Sequence, residues 1–217
     1  TTVGRIIFNE AIPQDLHFVP RDTPEQQLDL EIDFRVGKKE LSKIVDACFK
    51  YKGATETSVV LDKIKALGYK YSTIGAVTAS IFDMHIPKSK KAIVEQAEKD
   101  IVFIEKQFKR GRLSEEDRYM QTVKTWQDAK ERIDSQLFDE KGDDFLGEFN
   151  PIWMMANSGA RGNKSQISQL CGMRGLVRDP SGKVIELPIK ANYREGLSVL
   201  EYFISSHGGR KGLADTA

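Results

Sequence analysis

The residues of this chain whose types and spacing could do chemistry are few, and most of them lie in its last third. The stretch "NSGARGNKSQ" sets Ser158, Gly159, Arg161 and Gly162 just ahead of a helix-like run. The N-terminal amides and dipole of a helix favour an anion, and a guanidinium offers a planar fork of donors suited to phosphate. The spacing fits neither the Walker A loop nor the dinucleotide glycine pattern, so an anion site and a plain surface loop both stay open. Further on, "SSHGGRKGLADTA" places Gly208, Gly209 and Gly212 beside Arg210 and Lys211 in what otherwise reads as a helix. Each glycine weakens a helix by about 1 kcal/mol relative to alanine, so the run His207 to Gly212 can bend while its flanks stay straight.

Metal and nucleophile chemistry have less to stand on. Catalytic Mg²⁺ needs several carboxylates converging on one point. No D-x-D-x-D cluster occurs, and "KGDDF" at 141–145 reads as an exposed loop. Cys48 and Cys171 are 123 positions apart and none of the three histidines is close to either. That excludes zinc-ligand spacing and argues against a disulfide framework. The two cysteines read as small core residues in a reducing, cytosolic setting, and neither sits in a nucleophile motif of an independent enzyme.

The positioning elements come next. With 217 residues, 40% hydrophobic and 30% charged, the chain can hold one or two globular domains with real cores. No apolar run approaches the roughly 20 residues of a membrane span. The start, "TTVGRIIFNE", has neither an initiator Met nor the design of a signal peptide, and looks internal to something longer. Net charge is +1, but residues 151–217 hold nine Lys/Arg against five Asp/Glu, while the first 150 hold 24 against 27. The C-terminal third is thus the candidate for phosphate contact.

Residues 1–37, broken by Pro13, Pro20 and Pro24, read as an irregular connector. A helix follows with Leu41, Ile44, Val45 and Phe49 on one face. A second one, after Gly53, carries Val60, Leu61, Ile64 and Leu67. "STIGAVTASIFDMHIP" alternates as a short strand does. From Lys88 to Leu137 the pattern changes: Ile93, Ala97, Ile101, Ile104 and Phe108, then Tyr119, Val123, Trp126, Ile133 and Leu137, form narrow seams on charged helices. Gly111 suits a helix end and Ser114 a helix start, so two antiparallel arms of about 23 residues, roughly 35 Å each, are predicted.

That hairpin either braces two parts of the molecule or serves as a docking post. Its charged tip would be Lys109, Arg110, Arg112, Glu115, Glu116 and Asp117. Asp179 to Gly182 is a turn between two short strands, making Gly175 to Glu186 a hairpin-like loop. From Asn192 onward, Leu197, Leu200, Phe203 and Ile204 recur at helical spacing. The predicted fold class is mainly α with a few short strands: an irregular helical body with a long projecting antiparallel helical hairpin. Its parts are a connector and small helical body (1–87), the hairpin (88–138) and a C-terminal segment (139–217).

"TTVGRIIFNE", "NPIWMMANSGARGNKSQISQLCGMRGL", "ANYREGLSVLEYFISSHGGRKGLADTA" and the hairpin between them, in this order, closely resemble the largest (β′) subunits of bacterial RNA polymerases. The resemblance covers essentially the whole chain. It implies that Lys88–Leu137 forms the rim helices of the secondary channel, where transcript-cleavage and stringent-response factors dock. It implies that Gly172–Glu186, beginning Gly172, Met173, Arg174, Gly175, is the F-loop. Residues 198–217 would be the first half of the bridge helix, continuing past Ala217. Arg161 matches the family arginine that reaches the triphosphate of the incoming nucleotide. His207, Gly208, Gly209, Arg210, Lys211 and Gly212 match the bridge-helix hinge, with Gly209 where the family commonly has Ala.

By the same resemblance the complete enzyme uses Mg²⁺ on aspartates upstream of this segment, and zinc elsewhere in the subunit. This chain would bind neither and would not catalyse alone. Its implied partners are the polymerase β, α, ω and sigma subunits, DNA template, RNA and ribonucleoside triphosphates, in the cytoplasm at the nucleoid, with no membrane contact. Two other readings are a non-enzymatic coiled-coil module that binds transcription regulators, and a nucleic-acid-binding module. The second has only the +4 balance in its favour and lacks a recognised motif or clustered aromatics.

Overall fold

The computed structural model describes all residues except 25, 140–146 and 148; the "KGDDF" stretch therefore lies outside the described residues. Among these, regular structure is almost wholly helical, with seven α-helices and two isolated antiparallel bridges in place of strands. None of the helices is long and apolar enough to cross a membrane. The chain divides into two compact units, residues 1–78 with 157–161, and residues 79–156 with 162–217.

In the first unit, helix α1 spans Val3–Glu10, where an irregular connector was predicted. The three prolines all lie beyond Glu10, and the Thr2 hydroxyl caps the helix by accepting from the Arg5 amide at 3.4 Å. Helix α2 spans Lys38–Ile74 and is interrupted at Gly53, whose φ of +78° is not helical. The two predicted helices are thus present, joined at the glycine that was expected to separate them. The core holds Ile12, Leu16, Ile32, Ile44, Cys48 and Val60. Its register differs from the predicted stripe in detail: Cys48 turns inward while Phe49 is exposed, and Thr57 and Val60 turn inward while Leu61 is exposed. The segment predicted as a strand finishes α2 and then forms a short 3₁₀ turn, Ile81–Asp83, begun by a capping box between Ser80 and Asp83. No neighbouring strand pairs with it among the described residues.

In the second unit the predicted hairpin is present as α3, Lys90–Lys109, and α4, Glu115–Phe138. Gly111, at φ +69°, ends α3, and its amide donates to Phe108 O at 2.9 Å. Ser114 starts α4 by accepting from the Asp117 amide at 3.1 Å. Three acids in the first turn complement the positive end of its dipole. Ile93, Ala97, Trp126, Ala129 and Ile133 close the seam together with Met173. Each fully buried large apolar side chain there contributes about 2 kcal/mol. Toward its C-terminus α4 leaves α3 and packs Leu137 against Ile152 and Trp153 of α5, Pro151–Ser158, and Ile167 and Cys171 of α6, Lys164–Cys171. The last helix, α7, spans Val199–Thr216.

Candidate functional site

The loop from Gly172 to Glu186 is assembled from the α4 side. Met173 is wholly buried in the hairpin core. Gly175 has a φ of +83°, and a Cβ there would lie 3.0 Å from the Lys130 side chain, so a larger residue would have to push α4's lysine aside. Gly175 and Ile189 exchange both backbone hydrogen bonds at 2.9 Å. Ile185 N donates to Val177 O at 2.8 Å, which continues the hairpin-like pairing that the sequence predicts. At the tip, the Asp179 carboxylate accepts from the Ser181 hydroxyl at 2.6 Å and the Lys183 amide at 2.9 Å. These bonds, the Ser181 hydroxyl first, hold its pKa below the usual carboxylate value. Arg174 lies over the Tyr193 ring, 5.1 Å from its centroid, and donates to the Tyr193 hydroxyl.

The loop tip meets the start of α4. Arg118 donates through both terminal nitrogens to Glu186, at 2.6 and 3.0 Å, and its guanidinium lies 5.4 Å from the Phe108 ring of α3. Tyr119 donates its hydroxyl to Val184 O at 3.0 Å, and the Lys183 ammonium sits 5.1 Å from the Tyr119 ring centroid. A cavity of about 430 Å³ opens here, lined by Glu115, Glu116, Arg118, Tyr119, Lys183 and Glu186. The remaining tip residues, Lys109, Arg110, Arg112 and Asp117, are exposed.

The other side of the loop holds α7. Ser198 and Glu201 form a capping box, and the Glu201 carboxylate also accepts from the Lys190 and Ala191 amides at 3.0 and 3.1 Å. Burial opposes ionisation of Glu201, but these amide and hydroxyl donors outweigh it and hold the pKa below the ordinary value. Asn192 is fully buried between α6 and α7, and Lys90, also buried, pairs with Glu195. The predicted apolar stripe of α7 reaches the core only through Ile204; Leu200 and Phe203 are exposed. The helix runs unbroken through His207 to Gly212. A Cβ on Gly208 would lie 3.8 Å from Val177, an ordinary contact, while Gly209 and Gly212 face open space. Lys211 pairs with Asp215 at 3.1 Å on the same helix.

Arg161 lies in the first unit, whereas the hairpin, the 172–186 loop and the glycine cluster share the second. Arg161 is exposed, between Gly159 and Gly162, both at positive φ. A Cβ on Gly159 would lie 2.8 Å from Lys38 Cβ, too close for any other residue without a backbone shift. The α6 N-terminus after it is capped internally, since Asn163 Oδ1 accepts from the Gln166 amide at 2.9 Å. No group of three or more His, Cys, Asp or Glu among the described residues is placed to hold a metal ion.

Residues 1–84 match the family model described as RNA polymerase Rpb1, domain 3, and residues 112–194 match RNA polymerase Rpb1, domain 4. Over all 217 residues the chain is 57% identical to the DNA-directed RNA polymerase subunit beta' of Acetivibrio thermocellus, covering 18% of that protein. The chain belongs to the Rpb1/β′ family of RNA polymerase subunits. Its identity to the β′ subunit of Clostridium novyi is likewise 57%, over 18% of that protein, and to that of Lachnoclostridium phytofermentans 57%, over 17%. The chain thus spans less than a fifth of the β′ relatives it matches. The two family models leave out α3 and α7, whose assignment rests on the whole-chain identity.

Four structural residues of this β′ segment were passed over in the sequence. Glu201 stands in the S-x-x-E pattern of a capping box with Ser198, a signal that was there to be used. Asn192 pairs locally with Glu195, three positions on, but its bonds to Cys171 and Gly172 and the pair Arg118 and Glu186 carry no local signal, because those partners lie 20 to 68 positions away.

Proposed function

We propose that this chain works as a segment of a DNA-directed RNA polymerase, which copies DNA into RNA from the four ribonucleoside triphosphates. The observation that carries this is the 57% identity, spread over the whole chain, to β′ subunits. Within that enzyme α3 and α4 form the rim of the secondary channel. Residues 172–186 act as the F-loop and α7 as the first half of the bridge helix. Arg161 contacts the triphosphate of the incoming nucleotide. The exposure of Arg161 and of the tip cations supports these roles, as does the approach of the loop's Val177 to Gly208 of α7.

In the complete enzyme the RNA 3′-hydroxyl attacks the nucleotide α-phosphate and pyrophosphate leaves, with Mg²⁺ held by carboxylates outside this chain. This segment contributes geometry: Arg161 orients the triphosphate, and the glycines of α7 let the helix bend behind the reacting pair. The β, α, ω and sigma subunits and the nucleic acids are the partners of the whole assembly. Zinc belongs elsewhere in the subunit, and the bacterial cytoplasm is its setting.

The hairpin tip docks transcript-cleavage and stringent-response factors. Charge reversal at Arg110 and Arg112 in the complete polymerase should weaken factor binding far more than factor-free elongation; equal loss of both would make the hairpin a brace. The complete coding sequence is an independent check. An aspartate triad encoded upstream and a trigger loop downstream support the assignment, and a gene product without them contradicts it.

A further inference from the structure

The 172–186 loop is gripped from two sides, and the two grips differ in kind. Toward α7 the loop presents Val177, 3.8 Å from where a Cβ on Gly208 would stand, and just past the loop the Lys190 and Ala191 amides donate to Glu201. Against the hairpin, near the loop tip, the grip is ionic and directional. It consists of the two-pronged Arg118 to Glu186 pair, with Arg118 backed by Phe108 and with Tyr119 donating to Val184 O.

A paired fork of this sort fixes both distance and plane, which a single lysine contact does not. Both side chains are partly shielded, at 20% and 36% exposure, so solvent screens the pair less than it would a fully open one. Glu186 follows Ile185, whose amide bonds Val177 O, and Val177 is the residue that faces Gly208. Arg118 stands one turn from the acids that begin α4. The order in space is therefore hairpin tip, ionic pair, loop arms, glycine cluster.

We infer that Arg118 and Glu186 are positioning residues, a strut that sets the seat of the loop on the hairpin and, through Val177, the setting of α7 at Gly208. This role requires no contact with substrate. Their effect on nucleotide addition runs through the loop, so it falls on the rate of the step and spares nucleotide binding. A protein seated on the hairpin tip loads the same strut, because Glu115 and Glu116 share its cavity. The inference rests on the polymerase reading above, but the pair can be tested apart from it.

The experiment uses complete polymerase assembled with Arg118→Glu, Glu186→Arg or both substitutions in the β′ subunit. Amide hydrogen exchange over residues 176–187 and factor-free elongation are measured on each. Each single change should speed exchange in the loop by about tenfold, the scale of losing a charged hydrogen bond. The exchanged pair should restore protection, because the ions again attract. Elongation at saturating nucleotide should fall and recover in the same order, with KM for nucleotide unchanged.

If exchange in the double variant is the sum of the two single effects, or if neither single change alters it, the strut does not exist. If exchange couples while elongation stays constant, or if KM shifts alone, the positioning role is overturned. The exchange readout does not depend on what the assembly synthesises. Its failure therefore leaves the polymerase assignment standing, and absence of RNA synthesis by the unsubstituted assembly would strike that assignment instead.

Discussion

The side-chain amide of Asn192 donates to the carbonyls of both Cys171, at 2.8 Å, and Gly172, at 3.1 Å, so one fully buried residue ties the end of α6 to the approach to α7. Its Oδ1 accepts from the Glu195 amide at 2.8 Å, which leaves the side chain fully engaged on both ends. Replacing Asn192 by Ala strands two carbonyls and an amide, at a cost of about 2 to 3 kcal/mol. Both tryptophans, Trp126 and Trp153, lie in the same unit, so their fluorescence during urea unfolding reports on it. A destabilisation below about 1 kcal/mol would mean that water replaces the amide without loss.

Parts of this arrangement were legible in the sequence, and the difference lies in the range of the interactions. The hairpin was legible because its determinants are local: apolar steps of three and four, Gly111 at the end of one arm and Ser114 at the start of the next. The inward register was legible only to within one residue, since packing chose Cys48 over the larger Phe49. Helix α1 was obscured by prolines that turn out to follow it, and the alternation in residues 72–87 suggested a strand that has no partner to pair with among the described residues. The Arg118 to Glu186 pair spans 68 positions and has no periodic trace at all. Arg161 is singled out only by its glycine neighbours and by resemblance, because an exposed arginine leaves no mark in packing.

The glycine cluster makes a second prediction with opposite signs in two assays. No atom lies within 4 Å of a Cβ placed on Gly209 or Gly212, so alanine fits at both without strain. Each substitution should stabilise α7 by about 1 kcal/mol, seen as slower amide exchange along the helix. In the complete polymerase the same double substitution should slow elongation or change pausing, because a stiffer helix bends less readily. Unchanged elongation and pausing would remove the hinge.

The cysteines give a pH dependence. Burial pushes the Cys171 thiol up to about 11, with the nearby Arg194 charge opposing, and burial also raises Cys48. A thiol of this kind is almost wholly protonated at pH 8, so iodoacetamide should label neither cysteine in the folded chain and both in urea. The sign for stability follows. The folded state disfavours the Cys171 thiolate, so its contribution is intact below the ordinary thiol pKa of 9.0 and is lost as pH climbs toward about 11. Rapid labelling of Cys171 in the folded chain at pH 8 would place it at the surface.

The central claim is that this segment can line the active centre of a transcribing polymerase, and segment exchange tests it most directly. The matching stretch of the Acetivibrio thermocellus β′ subunit, 57% identical, is replaced by this chain, once with Arg161 and once with Arg161→Ala. Each is assembled with its partner subunits and assayed for template-dependent RNA synthesis across nucleotide concentrations. The account predicts synthesis by the first assembly, and in the second a raised apparent KM for nucleotides, or a lowered kcat if the contact forms only in the transition state. A polymerase that assembles fully around this segment and adds no nucleotides would contradict it.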